Sequence, residues 1–425
     1  MRIHLKTLGC RLNEAELETW SREFQARGHR MTEQPDEADL VVVNTCAVTQ
    51  EAVRKSKKLL TRSGRENPRA RLVVSGCYAT LEPDAIQQIE GVDLIVDNRD
   101  KARLVEIIEQ KLDLHLMPQA AMESPVTGLL DRGRQRAFIK VQDGCRYRCT
   151  FCIVTLARGE EQSRSESEIV EEINRLHQEG IQEVVLTGVH IGGYGSDIGS
   201  SLTRLVERIL QQTSLPRLRI GSIEPWELDE AFWKLFDNPR LMPHLHLPLQ
   251  SGSDSVLRRM SRRCRSEEFR LLVETARQRV ADFNVTTDII VGFPGESETE
   301  WQETLEFVES LGFGHLHIFA YSPRLGTKAA SLPDPVSREV KRQRSEALHQ
   351  LGEKHKRQNL ERFIGQRFPI LVEGSKAQGW SGYTPNYLRV ELLPPEGMDP
   401  SNQILNCELL ELSSTGDALV AQICD

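Results

Sequence analysis

The stretch CRYRCTFCI, residues 145–153, places three cysteines, Cys145, Cys149 and Cys152, within eight residues. Thiolates this close together can gather around one inorganic centre, and three of them leave one iron of a 4Fe-4S cluster without a protein ligand. An iron with an open position is a site for chemistry, whereas a fully ligated cluster mainly carries electrons. The competing reading is zinc, which closes tetrahedrally on paired CxxC or Cys/His spacings. No fourth Cys or His accompanies this trio in its own loop. The apolar run AFIKVQDG leads into Cys145, so the three cysteines fall on a loop that follows a strand.

Upstream, apolar runs alternate with amphipathic ones: RIHLKTL, the helical NEAELETWSREFQARG, ADLVVVNT, a basic helix through VRKSKKLLTRSG, RLVVSG, VDLIVDN and a helix around KARLVEIIEQKL. Strands alternating with helices imply right-handed βαβ units and an open parallel sheet. Each of the first three strands is followed at once by a cysteine: Cys10, Cys46 and Cys77. Spacings of 36 and 31 residues, each about one βα unit, bring all three to the carboxyl edge of neighbouring strands. That edge is where open α/β sheets bind ligands. One cysteine at a strand end is ordinarily a small buried apolar residue; three on successive strands point to a second cluster with an open iron.

At 425 residues the chain has room for two to four domains. Its hydrophobic content of 39% and charged content of 27% are those of a soluble globular protein. No run approaches the roughly 18 apolar residues of a membrane span, and MRIHLKTLGC lacks a signal-peptide apolar region, so a cytoplasmic protein without membrane contact is expected. In a reducing compartment nine cysteines in clustered spacing read as metal thiolates, not disulfides. The net charge of −8 argues against a uniformly nucleic-acid-binding surface but says nothing of local basic faces.

TLGC, VVNTCAV and SGCYA, followed by CRYRCTFC, resemble the methylthiotransferases of the radical S-adenosylmethionine (SAM) superfamily. The resemblance spans essentially the whole chain. It implies two 4Fe-4S clusters, one on Cys10, Cys46 and Cys77 and one on Cys145, Cys149 and Cys152, with SAM on the open iron of the second. It implies three domains: residues 1–116 for the first cluster, 131–356 for the radical SAM core and 357–425 for a TRAM-like module. Between Met117 and Gly133 the polar stretch PQAAMESPVTGLLDRG reads as a linker.

In the core, AFIKV, EVVLTGV, RLRIGSI, HLHLPL, NVTTDIIVGF and HLHIFAY form six strands separated by helices such as SESEIVEEINRLHQEG, which fits a partial (β/α)6 barrel. Barrel chemistry sits where strands end. TGVHIGGYG, LPLQSGS and DIIVGFPGE lie there, and Phe151, Gly188 and Gln250 are the candidate SAM contacts that the resemblance implies. Basic residues cluster in RRMSRRCR (Arg258, Arg259, Arg262, Arg263, Arg265), in the first domain's basic helix (Arg54, Lys55, Lys57, Lys58) and after the SAM cysteines (Arg158, Arg164); in an acidic chain such runs suggest phosphate contacts.

A charged helix from about Ser337 to Arg362 leads to short strands, RFPILVEG, WSGYTPNYLRVELL, ILNCELLEL and ALVAQI, which predict a small antiparallel β-barrel. Trp380, Tyr383 and Tyr387 are candidates for stacking on bases. Cys264, Cys407 and Cys424 have no metal spacing.

The resemblance implies sulfur insertion at an unactivated C–H bond followed by methylation, with two SAM equivalents, a tRNA substrate, an electron donor such as flavodoxin or ferredoxin, and a sulfur donor. LTGVHIGGYGSD and FAYSPRLGTKAA are most similar to the branch acting on N6-threonylcarbamoyladenosine beside the anticodon. That branch has Asn at the position of His190 and Pro-Tyr at the positions of Thr155 and Leu156. The alternatives are isopentenyl-adenosine in tRNA, an aspartate of a ribosomal protein, or an iron-sulfur electron-transfer protein without catalysis.

Overall fold

The computed structural model describes residues 1–112, 135–376, 379–393 and 397–424. The linker expected over 117–133, and the domain boundaries expected at 116 and 131, lie outside them. The chain divides into two compact units. The first is drawn from Met1–Val126, Asp143–Glu161 and Ser322–Ala330, so the loop with the SAM-motif cysteines belongs to the same unit as Cys10, Cys46 and Cys77.

The first unit is built on a five-stranded sheet of β1 (Arg2–Thr7), β2 (Arg30–Met31), β3 (Leu40–Thr45), β4 (Arg71–Gly76) and β5 (Val92–Val96). All neighbouring pairs are parallel and the order is β2-β1-β3-β4-β5. The near-continuous apolar run of β3 follows from burial on both faces: Val41 and Val43 pack with Leu72 and Val74 on one side, Leu40 and Val42 with Ile3 and Val73 on the other. The helix Gln50–Glu66 starts at Thr49, whose hydroxyl accepts from the Ala52 N–H at 3.1 Å. That is an N-cap. In this strand order the chain reverses its direction of travel across the sheet between β1 and β3, the switch point where doubly wound sheets open a crevice at their carboxyl edge. Cys10 follows β1 and Cys46 follows β3.

The second unit carries six parallel strands, β6 (Arg136–Lys140), β7 (Glu183–Thr187), β8 (Arg217–Ile220), β9 (His244–His246), β10 (Asn284–Val291) and β11 (His315–Ala320). They are laid side by side in sequence order as two three-stranded sheets, joined by the bridges Leu218↔Leu241 and Ser222↔His246. This is the partial (β/α)6 barrel, and the apolar faces of its helices complete one continuous core with the strands. Helix Arg338–Glu361, capped by Ser337, leads to a closed five-stranded barrel of β12 (Arg367–Lys376), β13 (Gly379–Tyr383), β14 (Arg389–Leu393), β15 (Ile404–Leu412) and β16 (Leu419–Ile423). Its pairs are antiparallel except β14 with β16, which run parallel. Cys407 is buried in its core and Cys264 in that of the larger barrel. Among the described residues no helix is long and apolar enough to cross a membrane.

The two barrels of this unit are joined through charge. Glu183 is fully buried, 3.1 Å from Arg219, 3.8 Å from Arg217 and 3.9 Å from Arg136. Arg136 lies 4.4 Å over the ring of Tyr383 and bonds to Glu373, Arg217 donates to the carbonyls of Tyr383 and Pro369, and Arg219 lies 4.5 Å over the ring of Tyr387. Tyr383 and Tyr387 stack on each other at 4.9 Å. Trp380 packs against the small barrel's core. The tyrosines expected to stack on bases are thus occupied inside the protein, because guanidinium groups on β6 and β8 take their ring faces.

Burial alone raises the Glu183 pKa, but Arg219, Arg136 and Arg217 outweigh it and hold the carboxyl below its ordinary value of 4.5. Its contribution to stability is therefore present in full above that value and is lost as pH falls through the lower folded-state pKa. Glu183→Gln is expected to cost about 3–5 kcal/mol at pH 7, since it removes the carboxylate that buried Arg217 and Arg219 share, while Arg136 keeps Glu373. Urea unfolding at several pH values checks this; a gap between variant and parent that persists undiminished at acid pH would contradict it.

Candidate functional site

The edge of the first sheet is shaped by glycines where a side chain has no room. Gly9 has φ +129°, and a Cβ there would lie 2.9 Å from the Cys46 Cβ. Gly76 has φ +98°, and a Cβ there would meet the Thr45 carbonyl at 2.3 Å. Each immediately precedes a cysteine, so the positive φ that glycine permits is what turns Cys10 and Cys77 out of their strands beside Cys46. Cys46 and Cys77 are buried and Cys10 is exposed. Burial pushes the Cys46 thiol up to about 11, with Cys77 and Cys10 adding to the rise and Arg158 opposing it. A thiol held in that state is protonated near neutral pH, so a metal that binds it displaces the proton.

Below the cysteines, Thr7, Asn44 and Ser75 occupy one register row across β1, β3 and β4. Thr7 Oγ1, Asn44 Oδ1 and Ser75 Oγ are buried without a hydrogen-bond partner among the described residues. Buried polar atoms are normally paired, and three orphans in one row under three thiols mark an edge made for a bound group. Among the described residues no three His, Cys, Asp or Glu side chains stand as they would around a single ion. Three thiols at one sheet edge are the donor set that leaves one iron of a 4Fe-4S cluster open.

The SAM-motif loop is pinned at both ends. Gly144, at φ +71°, approaches the Glu160 carbonyl so closely that a Cβ would lie 1.9 Å from it, and the Cys145 N–H donates to the Gly159 carbonyl at 3.1 Å. Arg146 pairs with Glu161 and Arg148 with Glu160. The Cys152 N–H donates to the Cys149 carbonyl, Thr155 Oγ1 to the Tyr147 carbonyl and the Ala329 N–H to the Thr150 carbonyl. The loop is thus a fixed scaffold for its three half-buried thiols.

Phe151 lies half-buried in this loop, in the first unit; Gly188 and Gln250 lie in the second. Gly188 abuts Gln142, whose Oε1 would be 3.0 Å from a Cβ there and accepts from the His190 N–H at 2.9 Å. Gln250 has φ +78°, strained for a side-chain-bearing residue, and is clamped by its N–H to the Asp288 carbonyl and its carbonyl to the Ile290 N–H. Backbone strain held this firmly is a mark of functional positions. Glu296, at the end of DIIVGFPGE, is instead consumed by Arg344 at 2.6 Å and by the Gly292 N–H at 2.7 Å.

Two features went unread in the sequence. One face of β9–β11 is lined by His246, Asp288 and His317: the His246 Nε2 is 3.1 Å from Asp288 Oδ1, and the rings of His246 and His317 are 5.3 Å apart. Burial, with help from His317 and Lys356, pushes His315 down to about 4, so it is a neutral imidazole at physiological pH. The repeated HLH of β9 and β11, with its period of two, was the available signal. The second feature is Arg158. In the sequence it reads as a phosphate contact; in the structure its side chain is 2% exposed and bonds to Glu16, Asp143 and Asn13. Arg164, Arg259 and Arg262 are likewise committed, to Glu172, Glu300 and Glu224. Arg54, Lys58, Arg258 and Arg265 remain exposed.

If the two cysteine sets hold separate clusters, as the family resemblance implies, Cys46→Ala is expected to lose one cluster's iron and the methylthiolation that resemblance implies, yet still cleave SAM to 5′-deoxyadenosine after reduction. Cys149→Ala loses SAM cleavage while the first-sheet cluster stays spectroscopically visible. Iron and sulfide analysis with a deoxyadenosine assay decides it, and loss of both clusters from either substitution in folded protein would mean one shared site.

Residues 2–97 match the model of uncharacterized protein family UPF0004, and residues 139–308 that of the radical SAM superfamily. The chain is 35% identical over 401 residues to the threonylcarbamoyladenosine tRNA methylthiotransferase MtaB of Thermotoga maritima, covering 92% of this chain and 91% of that one. It is 34% identical to the MtaB of Bacillus subtilis, over 93% of this chain and 91% of the relative. The tRNA-2-methylthio-N(6)-dimethylallyladenosine synthase of Oceanobacillus iheyensis is 33% identical, over 89% of this chain and 76% of its own length. Among solved structures, the radical SAM methyltransferase TsrM from Kitasatospora setae, with cobalamin and a [4Fe-4S] cluster bound, superposes with a TM-score of 0.58 at 15% identity over 99% of this chain and 87% of that one, a likeness of fold. With both cysteine-bearing segments matched and the two MtaB relatives aligned over 91% of their length, this chain belongs to the radical SAM tRNA methylthiotransferases, enzymes of SAM and 4Fe-4S clusters.

Proposed function

We propose that this protein methylthiolates C2 of N6-threonylcarbamoyladenosine next to the anticodon of tRNA. The observation that carries the reading is the alignment with the Thermotoga maritima and Bacillus subtilis enzymes of that name over more than nine-tenths of the chain. The Oceanobacillus iheyensis relative, of nearly equal identity, makes dimethylallyladenosine in tRNA the alternative substrate of the same chemistry.

In this reading Cys145, Cys149 and Cys152 hold the cluster that binds SAM, with Phe151, Gly188 and Gln250 as SAM contacts. Cys10, Cys46 and Cys77 hold the second cluster. Bound SAM supplies the hydrogen-abstracting radical and the methyl group, and the second cluster is the route for sulfur. The chain's part is to hold six thiolates in place. The enzyme works in the cytoplasm, takes electrons from a flavodoxin or ferredoxin and receives sulfur from a separate donor.

Transfer RNA from a deletion strain is expected to lack 2-methylthio-threonylcarbamoyladenosine and to accumulate the unthiolated nucleoside. Nucleoside analysis reads this directly. Loss of the methylthio group from dimethylallyladenosine instead would move the chain to the other tRNA branch, and unchanged tRNA with a demethylthiolated ribosomal protein would overturn the tRNA reading.

The exposed cations give a second test. Replacing Arg54, Lys58, Arg258 and Arg265 by Ala should flatten the dependence of log K on log salt for tRNA binding, by a step for each phosphate no longer neutralised that is on the order of the 0.9 known for duplex DNA. Replacing Arg259 and Arg262 should lower stability and leave that slope alone, because bidentate pairing to Glu300 and Glu224 occupies them. An unaltered slope in the first set would return those side chains to plain surface charge.

A further inference from the structure

The loop after the SAM-motif cysteines sends one side chain into the first sheet's cysteine edge. Arg158 Nη2 donates to Asn13 Oδ1 at 2.8 Å, and Nη1 is 3.0 Å from both Glu16 Oε1 and Asp143 Oδ1. Asn13 Oδ1 also lies 3.8 Å from the Cys10 thiol. Asn44, two residues before Cys46, donates to Glu16 Oε2 at 2.9 Å, the oxygen that Lys101 Nζ approaches at 2.7 Å. Asn98 Nδ2 donates to the Ala157 carbonyl at 2.7 Å and stands 3.9 Å from the Cys77 sulfur. Cys10 and Cys77 are thus each one side chain away from the guanidinium or its backbone neighbour, Cys46 lies two residues along the chain from Asn44, and all three thiols lie within the electrostatic reach of Arg158.

A guanidinium is a permanent cation. Here it is buried beyond the reach of solvent screening; its nearest anions, Glu16 and Asp143, both meet it at Nη1, Glu16 also pairing with Lys101, while Nη2 goes to Asn13 beside Cys10. The charge of a cluster on three thiolates becomes more negative by one on reduction. A fixed cation beside it in a low-dielectric interior stabilises that added electron, and removing the cation disfavours it.

We propose that Arg158 is a positioning residue that sets the reduction potential of the cluster held by Cys10, Cys46 and Cys77. This rests on the reading of those cysteines as cluster ligands. The role links the two halves of the reaction: the residue that tunes the sulfur-bearing site grows from the loop that holds SAM, six residues after Cys152.

The test is an EPR redox titration of the full-length chain with Cys145, Cys149 and Cys152 replaced by Ala, so that only the first-sheet cluster is read. Arg158→Met is expected to move the midpoint to more negative values, Arg158→Lys to keep it near the parent, and Asp143→Asn, which removes a competing anion and keeps Arg158 on Glu16, to move it to more positive values. A side chain that merely props up the fold would not produce shifts of opposite sign with iron content unchanged. Shifts of the same sign in Arg158→Met and Asp143→Asn, or no shift in either, would overturn the proposal while leaving the cluster in place. A parent protein that takes up no cluster would overturn the ligand assignment, and the proposal with it.

Discussion

The first unit depends on one buried carboxylate. Glu16, 2% exposed, accepts from Arg158, Lys101 and Asn44, and these come from a loop beyond residue 150, from the segment after β5 and from the end of β3. Burying an ion is costly unless it is paired and its remaining lone pairs are satisfied. Here that cost is offset only when all three donors arrive together, so the carboxylate enforces a single arrangement of the chain segments that carry the cysteines. Truncating any one partner strands a charge in the interior. That is a stronger constraint than apolar packing, which tolerates small shifts of a strand end.

The two cysteine sets reach comparable chemistry by different routes. Cys145, Cys149 and Cys152 are gathered by sequence spacing, and the loop needs only its turn and its ties to Gly159, Glu160 and Ala329 to present them. Cys10, Cys46 and Cys77 are gathered by topology: parallel strands of matched length end at one level, and glycines at the turns let the chain bend without a clash. The switch point between β1 and β3 supplies the space. A site of the second kind is only as precise as its sheet, which explains why both faces of β3 are sealed by apolar side chains.

This difference also governs what the sequence disclosed. The six strands of the larger barrel, the three strand-end cysteines and the small C-terminal barrel were legible because hydrophobic periodicity and strand-end position are local features. The fates of the charged and aromatic side chains were not. Arg158, Arg259 and Arg262 read as basic surface, and Tyr383 and Tyr387 as base-stacking groups, because a run of letters does not reveal which cation has a carboxylate waiting across 40 or 140 residues of chain. Glu16 with Arg158, Glu224 with Arg262 and Glu183 with its three arginines are such distant partners. The parallel pairing of β14 with β16 was hidden for the same reason: it is set by closure of the barrel and not by either strand's own pattern.

Arginine was spent inside this protein more often than its acidic composition suggests. Arg136, Arg158, Arg217, Arg219, Arg262 and Arg344 all carry their charge into largely buried settings, each with a carboxylate within 4 Å. A planar fork with five donors holds a carboxylate on one edge and backbone carbonyls on another in fixed directions, whereas lysine offers three donors from a single point. That property suits joints between segments remote in sequence, such as Arg217 donating to two carbonyls of the small barrel. The consequence for nucleic-acid recognition is that net charge and arginine count both misstate the electrostatic face. What phosphate can meet is the remainder after internal pairing, which includes Arg54 and Lys58 on the helix Gln50–Glu66 of the first unit and, separately, Arg258 and Arg265 of the second.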